Sequence, residues 1–128
     1  MKTLIVGSRS IVDYEILLYA ISKWPQPITH IVSGGAKGID SLAAFYAKQN
    51  NIPLTVVYPD WDRYGKSAGY LRNKDMVENY DVEALIAITN GSKGTGHTIN
   101  LAKAAGLQYK IFNYPNDFVD AINEINRP

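Results

Sequence analysis

The sequence predicts an α/β protein built on a doubly wound, parallel sheet of five strands in the order 3-2-1-4-5. Short apolar runs alternate with amphipathic segments along the whole chain, which favours parallel strands joined by helices. Within these runs apolar and polar residues hardly alternate, as expected for strands covered on both faces. A chain of 128 residues is long enough for one core, so residues 1–128 are expected to form a single domain.

The predicted strands are apolar segments, several of them bounded by glycine, proline or asparagine. They span residues 3–7, 28–33, 54–58, 82–89 and 107–112.

Helices are predicted between these strands from apolar residues at helical spacing. Asp13 is expected to cap the first helix, and Gly106 to end the fourth. The first helix is predicted to bury Tyr14, Leu17, Leu18 and Ile21, and the fourth to bury Thr98, Leu101, Ala102 and Ala105. The other helices are predicted over residues 38–50, 68–80 and 117–126, the last packing Phe118, Ile122 and Ile125.

Residues 59–69 form the longest connection and concentrate aromatic and charged side chains. They predict an irregular loop, and loops of this length often serve as lids or binding loops. Trp61 and Tyr64 could stack on a base, or could instead cover the edge of the core.

In doubly wound sheets, ligands bind beyond the carboxyl ends of the strands, where the strand order reverses. Three loops are expected to meet there: Gly7 to Arg9, Gly34 to Asp40 and Gly91 to Gly96. Glycines let backbone amides approach a ligand, and the helix that follows adds the positive end of its dipole. These loops therefore predict an anion site, although the glycines could simply make tight turns.

Several side chains suit a phosphate at this edge. Arginine forks bind anions in bidentate fashion, and serine and threonine hydroxyls, including that of Ser92, can donate hydrogen bonds. Asp40 could accept from a ribose hydroxyl, hold Arg9 or Arg72, or support its helix terminus. The predicted ligand-binding residues are Gly7, Ser8, Arg9, Ser33, Gly34, Gly35, Lys37, Gly38, Asp40, Arg72, Asn73, Gly91, Gly94 and Thr95.

Composition narrows the function classes. A net charge of +1 provides little overall electrostatic attraction for nucleic acid, so a nucleic-acid partner is not expected. The chain has no cysteine and shows no signal-peptide or membrane-span pattern, which fits a cytoplasmic protein. Two histidines far apart predict no metal site. Neither a G-x-G-x-x-G fingerprint nor a Walker lysine motif is present, which disfavours a conventional NAD dehydrogenase and P-loop hydrolysis of nucleoside triphosphates. The sequence indicates no certain cofactor, and the expected ligand is nucleotide-like.

Four motifs together resemble the SLOG superfamily of small Rossmann-like proteins, especially its compact bacterial and phage members related to YspA and YpsA. They are GSRS, SGGAKGID, DWDRYGKSAGYLRN and GSKGTGHT. The resemblance covers nearly the whole chain. It implies a Rossmann-like domain that binds a nucleotide or nucleotide-derived phosphate ligand, such as AMP or an ADP-ribose-like molecule, where the loops meet.

The resemblance leaves two other functions open. Distant relatives, the LOG phosphoribohydrolases, cleave a nucleotide N-glycosidic bond with a glutamate where this chain has Thr98. A hydrolase acting on an N-glycosidic or phosphoester bond would then need Asp40 or Asp60 as its acid/base. The other alternative is single-stranded nucleic-acid binding, as in the related DNA-processing proteins. Self-association through exposed helices also remains open by analogy.

Overall fold

The computed structural model describes residues 1–125 and contains a five-stranded sheet in which every neighbouring pair of strands is parallel. The strand order is β3-β2-β1-β4-β5, which confirms the predicted fold. Leu4, at the centre of the sheet, is in register with Val32 on one side and with Leu85 on the other. The strands are Lys2–Gly7 (β1), His30–Ser33 (β2), Leu54–Val56 (β3), Ala84–Thr89 (β4) and Gln108–Asn113 (β5).

Within residues 1–125, six helices surround this sheet. They are Tyr14–Ser22 (α1), Ile39–Gln49 (α2), Trp61–Tyr64 (α3), Ala68–Asn79 (α4), Lys93–Ala104 (α5) and Val119–Ile125 (α6). Short 3-10 turns precede α4 and α6, at Gly65–Ser67 and Asn116–Phe118. The predicted last helix extended to residue 126, which lies outside the described residues, as does the side chain of Ile125. None of the helices within residues 1–125 is long and apolar enough to cross a membrane.

The core has two layers, one on each face of the sheet. On one face, α1 and α2 pack with Phe118 against Ile5 and Ile86. On the other face, α4 and α5 pack Met76 and Ile99 against strand residues such as Leu85. All six residues of β4 are buried, which explains its unbroken apolar sequence. The ligand edge predicted from the sequence is therefore framed by helices on both sides.

Two of the predicted helix faces are partly wrong. α1 buries Ile16, Leu17 and Ala20, and Tyr14 and Ile21 of the predicted face pack partly buried against this core, whereas Leu18 is half-buried and does not belong to it. In the fourth predicted helix, now α5, Ala105 is exposed. The helix ends before it, and Gly106, at a φ of 75°, reverses the chain so that the Leu107 amide donates to the Ala102 carbonyl at 3.1 Å.

Residues 59–69 contain more regular secondary structure than predicted. The Asp60 carboxylate accepts from the Arg63 amide at 3.1 Å and caps the single turn of α3. The second glycine-rich turn is also shorter than predicted, because α5 already begins at Lys93 and includes Gly94 and Gly96. In both places, residues that were expected in a loop are therefore helical.

Candidate functional site

A pocket of about 340 Å³ opens at the carboxyl ends of β1 and β4, between the first turns of α4 and α5. This is where the strand order reverses, since β1 continues to α1 on one face and β4 to α5 on the other. Eight of its lining residues were predicted from the sequence. The lining consists of Val6, Gly7, Ser8, Arg9, Ser10, Ala36, Asp40, Arg72, Asn73, Met76, Asn90, Ser92, Gly94, Thr95 and Thr98.

Ser8 joins the ends of the two central strands. Its side chain is buried, and its Oγ accepts from the Asn90 amide at 3.0 Å. The same Oγ lies 3.1 Å from Ser92 Oγ, which donates in turn to Thr95 Oγ1 at 2.9 Å. A run of hydroxyl groups therefore leads from the end of β1 to the first turn of α5, and each of these side chains lines the pocket.

The start of α5 leaves backbone donors free. The first helical hydrogen bond is donated by Gly96 to the Ser92 carbonyl at 3.1 Å, and the Ser92 side chain does not cap the helix. Within residues 1–125, the amides of Lys93, Gly94 and Thr95 have no hydrogen-bond acceptor. Unpaired amides at the positive end of a helix dipole favour an anion.

Arg72 supplies a fixed positive charge to the pocket wall. Its Nε donates to Asn73 Oδ1 at 2.9 Å, and its Nη1 donates to the carbonyls of Gly34 and, at 3.5 Å, Val57. Its Nη2 makes no hydrogen bond with the described residues. Burial lowers the pKa of Arg72, but a guanidinium remains charged at any physiological pH. Most of the donor fork is thus bound to the scaffold, and one nitrogen is left over.

Asn73 ties α4 to α5 beside this guanidinium. Its Oδ1 accepts from Arg72, while its Nδ2 donates to the Gly94 carbonyl at 3.4 Å and lies 3.3 Å from His97 Nδ1. The side chain is buried, so both ends of the amide need partners, and both have them. Asn73 therefore holds Arg72 and the first turn of α5 in one arrangement.

Asp40 is the buried carboxylate of the site, with only 5% of its surface exposed. Its Oδ2 accepts from the Ala36 amide at 3.2 Å, which braces the turn that precedes α2. Burial raises the pKa of Asp40, and the Ala36 and Gly7 amides and the charges of Arg72 and Arg9 oppose that rise. Asp40 therefore combines a structural contact with a position on the pocket wall.

The remaining predicted residues lie outside this pocket. Gly34, Gly35 and Lys37 line an adjoining groove of about 370 Å³, which shares Arg9, Ala36 and Arg72 with the pocket. Three others line neither space. Ser33 is buried and donates to the Asp40 carbonyl at 3.0 Å, Gly38 packs against the loop after β1, and Gly91 lies in an exposed turn.

The two carboxylates considered as acid/base groups are placed apart. Asp40 lines the pocket, whereas Asp60 caps α3 and lines a separate groove of about 480 Å³ along α4. Within residues 1–125, no three His, Asp or Glu side chains gather as metal ligands.

Sequence reasoning missed three polar side chains of the pocket: Ser10, Asn90 and Thr98. Asn90 is the first residue beyond β4, and its Nδ2 donates to Ser10 Oγ at 2.7 Å. Its position directly after a fully buried strand was a usable signal. Thr98 was assigned to the apolar face of its helix, and the structure shows that this buried face also reaches the pocket.

Comparison with known proteins agrees with this architecture. The YAcAr family model, described as the YspA, cpYpsA-related SLOG family, matches residues 1–64, which is half of the chain. The chain belongs to this SLOG family. It is also similar to the "Gene 61 protein" of Mycobacterium phage D29, with 32% identity over 115 residues, covering 83% of this chain and 91% of the phage protein. No solved structure matches the chain significantly.

The segment that matches the SLOG family model contributes part of the pocket. Residues 1–64 contain β1 to β3 and the turn from Gly34 to Asp40, and thus one wall of the pocket. Arg72, Asn73 and the start of α5 also line the pocket and lie beyond the matched segment.

Proposed function

We propose that this SLOG protein binds a nucleotide or nucleotide-derived phosphate compound, AMP-like or ADP-ribose-like, in the pocket between β1 and β4. One observation carries the proposal: Arg72, whose Nη2 has no partner among residues 1–125, lines a single space of about 340 Å³ together with Gly94 and Thr95, whose amides are unpaired within the same residues. Pockets of roughly this size commonly hold small molecules.

The phosphate would lie against α5. The amides of Gly94 and Thr95 and the hydroxyls of Ser92 and Thr95 are donors there, and Arg72 Nη2 adds a charge-assisted donor. Within the described part of the chain, the pocket lining holds a second arginine, Arg9, and only one carboxylate, Asp40. This balance favours an anionic ligand.

The sugar would lie towards Asp40. A carboxylate accepts hydrogen bonds from hydroxyl groups, and a ribose offers such hydroxyls beside its phosphate. Asp40 is held by the Ala36 amide and by the fold of α2, so its orientation is set before the ligand arrives. It would select a hydroxyl-bearing phosphate over bare phosphate.

Calorimetry with AMP, ADP-ribose and NAD tests this proposal, with the variant Arg72→Ala. We expect binding by the native protein and a loss of about tenfold to a hundredfold in the variant, because a hydrogen bond to a charged group is worth about 1.5–3 kcal/mol.

Arg72→Lys is the matched control, since it keeps the charge but loses the fork; it should weaken binding less. Urea denaturation of each variant checks that the Gly34 carbonyl, once deprived of its donor, does not unfold the protein. No heat with any of the three compounds at high protein concentration would refute the proposal.

Hydrolysis of the bound nucleotide is a second candidate, favoured by one observation. Of the described residues, Asp40 is the only carboxylate that lines the pocket, and burial raises its pKa, as is useful in an acid. The residue at the position of the LOG glutamate, Thr98, is buried and donates to the Gly94 carbonyl at 3.3 Å, so it provides no replacement acid. Release of free base or ribose phosphate on long incubation, abolished by Asp40→Asn while binding persists, would support turnover.

A further inference from the structure

The groove that adjoins the pocket has a different chemical character. It has a volume of about 370 Å³, and its wall away from the pocket is formed by Tyr58, Pro59 and Trp61. Arg9, Ala36 and Arg72 line both spaces, so the two lie side by side with these residues between them. A ligand in the pocket that extends past the arginines would enter this groove.

The two aromatic rings of the groove are supported but open. The Tyr58 ring lies over Gly35, so close that a Cβ there would come within 2.6 Å of the ring. Trp61 lies beside Gly69 in the first turn of α4, where a Cβ would be 3.6 Å from its ring. Yet Tyr58 is 71% exposed and Trp61 is 51% exposed. The exposure of Trp61 argues against the alternative that it covers the edge of the core. Tyr64, the other aromatic residue considered for stacking, is also exposed but lines the separate groove along α4.

The charged side chains that line this groove are cationic, although Tyr58 also lines the groove along α4 that holds Asp60, Asp75 and Glu78. Among residues 1–125, the groove is lined by three cationic side chains, Arg9, Lys37 and Arg72, and by no carboxylate. Exposed aromatic rings stack on planar bases, and neighbouring cations stabilise the phosphate to which such a base is joined. A purely apolar partner would gain nothing from the cations, and a bare phosphate nothing from the rings.

We propose that this groove is the base subsite for the ligand whose phosphate binds in the pocket. The sugar crosses between Arg9 and Arg72, and the base stacks on Trp61 and Tyr58. The inference depends on the proposed function and narrows it: the ligand is a nucleotide with its base attached, and not a sugar phosphate.

Ligand pairs that differ only in the base test the inference. In calorimetry, AMP is expected to bind about tenfold more tightly than ribose 5-phosphate, in line with one stacked base on an open surface. Trp61→Ala should reduce AMP affinity to that of ribose 5-phosphate and leave ribose 5-phosphate unchanged. Trp61→Phe, which keeps a ring, should restore much of the difference. Tyr109→Ala is the control, because Tyr109 is 47% exposed but lies on β5, outside the groove lining.

Tryptophan fluorescence gives a second measurement. The chain has two tryptophans, and the other, Trp24, packs on the α1 and α2 face of the sheet. In a Trp24→Phe background Trp61 is the remaining tryptophan, so AMP or ADP-ribose should quench its emission while ribose 5-phosphate does not.

Failure of the inference and failure of the proposed function look different. If AMP and ribose 5-phosphate bind equally and Trp61→Ala changes neither, the groove is not a base subsite, although the phosphate pocket stands. An equal loss of both ligands in Trp61→Ala would also refute the subsite, because Trp61 would then only support the pocket. If ADP-ribose is the only compound that binds, quenching of the Trp61 emission by ADP-ribose would support the base subsite, and unchanged emission would refute it. If no compound binds, the proposed function itself fails.

Discussion

The two glycine-rich turns at the ligand edge look alike in sequence but are filled in opposite ways. In the first, from Gly34 to Gly38, protein atoms occupy the space that side chains would need. A Cβ on Gly34 would lie 2.8 Å from both Arg72 Nη1 and Asp40 Oδ2, and one on Gly38 would overlap the Ser8 carbonyl. These glycines are required by the scaffold.

In the second turn, a Cβ added to Gly91, Gly94 or Gly96 would have no atom of the described residues within 4 Å beyond its own neighbours in the chain and helix. Of these three, Gly94 lines the pocket. The absence of a side chain there serves no packing contact among the described residues, and it leaves this part of the pocket open. The comparison teaches that a glycine motif alone does not show whether the space beside a turn is filled by protein atoms or is open.

The largest expected effect comes from Gly38→Ala in the packed turn. Gly38 has a φ of 73°, and a Cβ would overlap the loop after β1, so we expect a loss of about 3 kcal/mol or more in the free energy of unfolding. Urea denaturation measures it. A loss below about 1 kcal/mol would mean that the first turn is as open as the second.

Gly94→Ala should act on binding and not on folding. A methyl group there meets no protein atom but takes up space in the pocket, so we expect about a tenfold loss of AMP affinity by calorimetry. The free energy of unfolding should stay the same or rise, because alanine favours a helix. Unchanged affinity would place the phosphate away from α5.

Asp40→Asn tests how strongly the Asp40 carboxylate is buried beside the packed turn, through the pH dependence of the free energy of unfolding. Because the pKa of Asp40 is raised in the folded protein, the folded state holds this proton more tightly than the unfolded chain does. The stability of the native protein should therefore fall as pH rises from its ordinary pKa of 3.8 through the folded pKa, and then level off. In the variant this fall should be absent, so urea denaturation of both proteins from about pH 4 to pH 8 isolates it as a difference. Parallel curves would show that Asp40 is not desolvated.

The smallest expected effect is that of Gly96→Ala in the open turn. Gly96 is helical, does not line the pocket and has free space around it, so alanine should stabilise the fold by roughly 0.5–1 kcal/mol. AMP affinity should not change, which makes this variant the control for Gly94→Ala. A destabilising result would show that the open turn has a hidden contact.

The sequence predicted the strand order and the convergence of the loops because both follow from patterns along the chain. The unbroken apolar run of β4 and the caps at Asp13 and Gly106 are such local signals. The packing of the first turn could not be predicted in the same way, because it depends on Arg72, which is 38 residues from its acceptor Gly34. The helical turn within residues 59–69 could not be predicted, because a single capped turn has no periodicity to detect.

The anchoring of Arg72 has one more consequence, for the thermodynamics of recognition. A free arginine loses its rotamer entropy when it grips an anion, which costs about 0.5–1.5 kcal/mol. Here Nε and Nη1 are already bound by Asn73 and the Gly34 carbonyl, so that entropy is lost during folding and not during association. Nη2 is thus preorganised, and its contact with an anion should contribute to affinity almost undiminished.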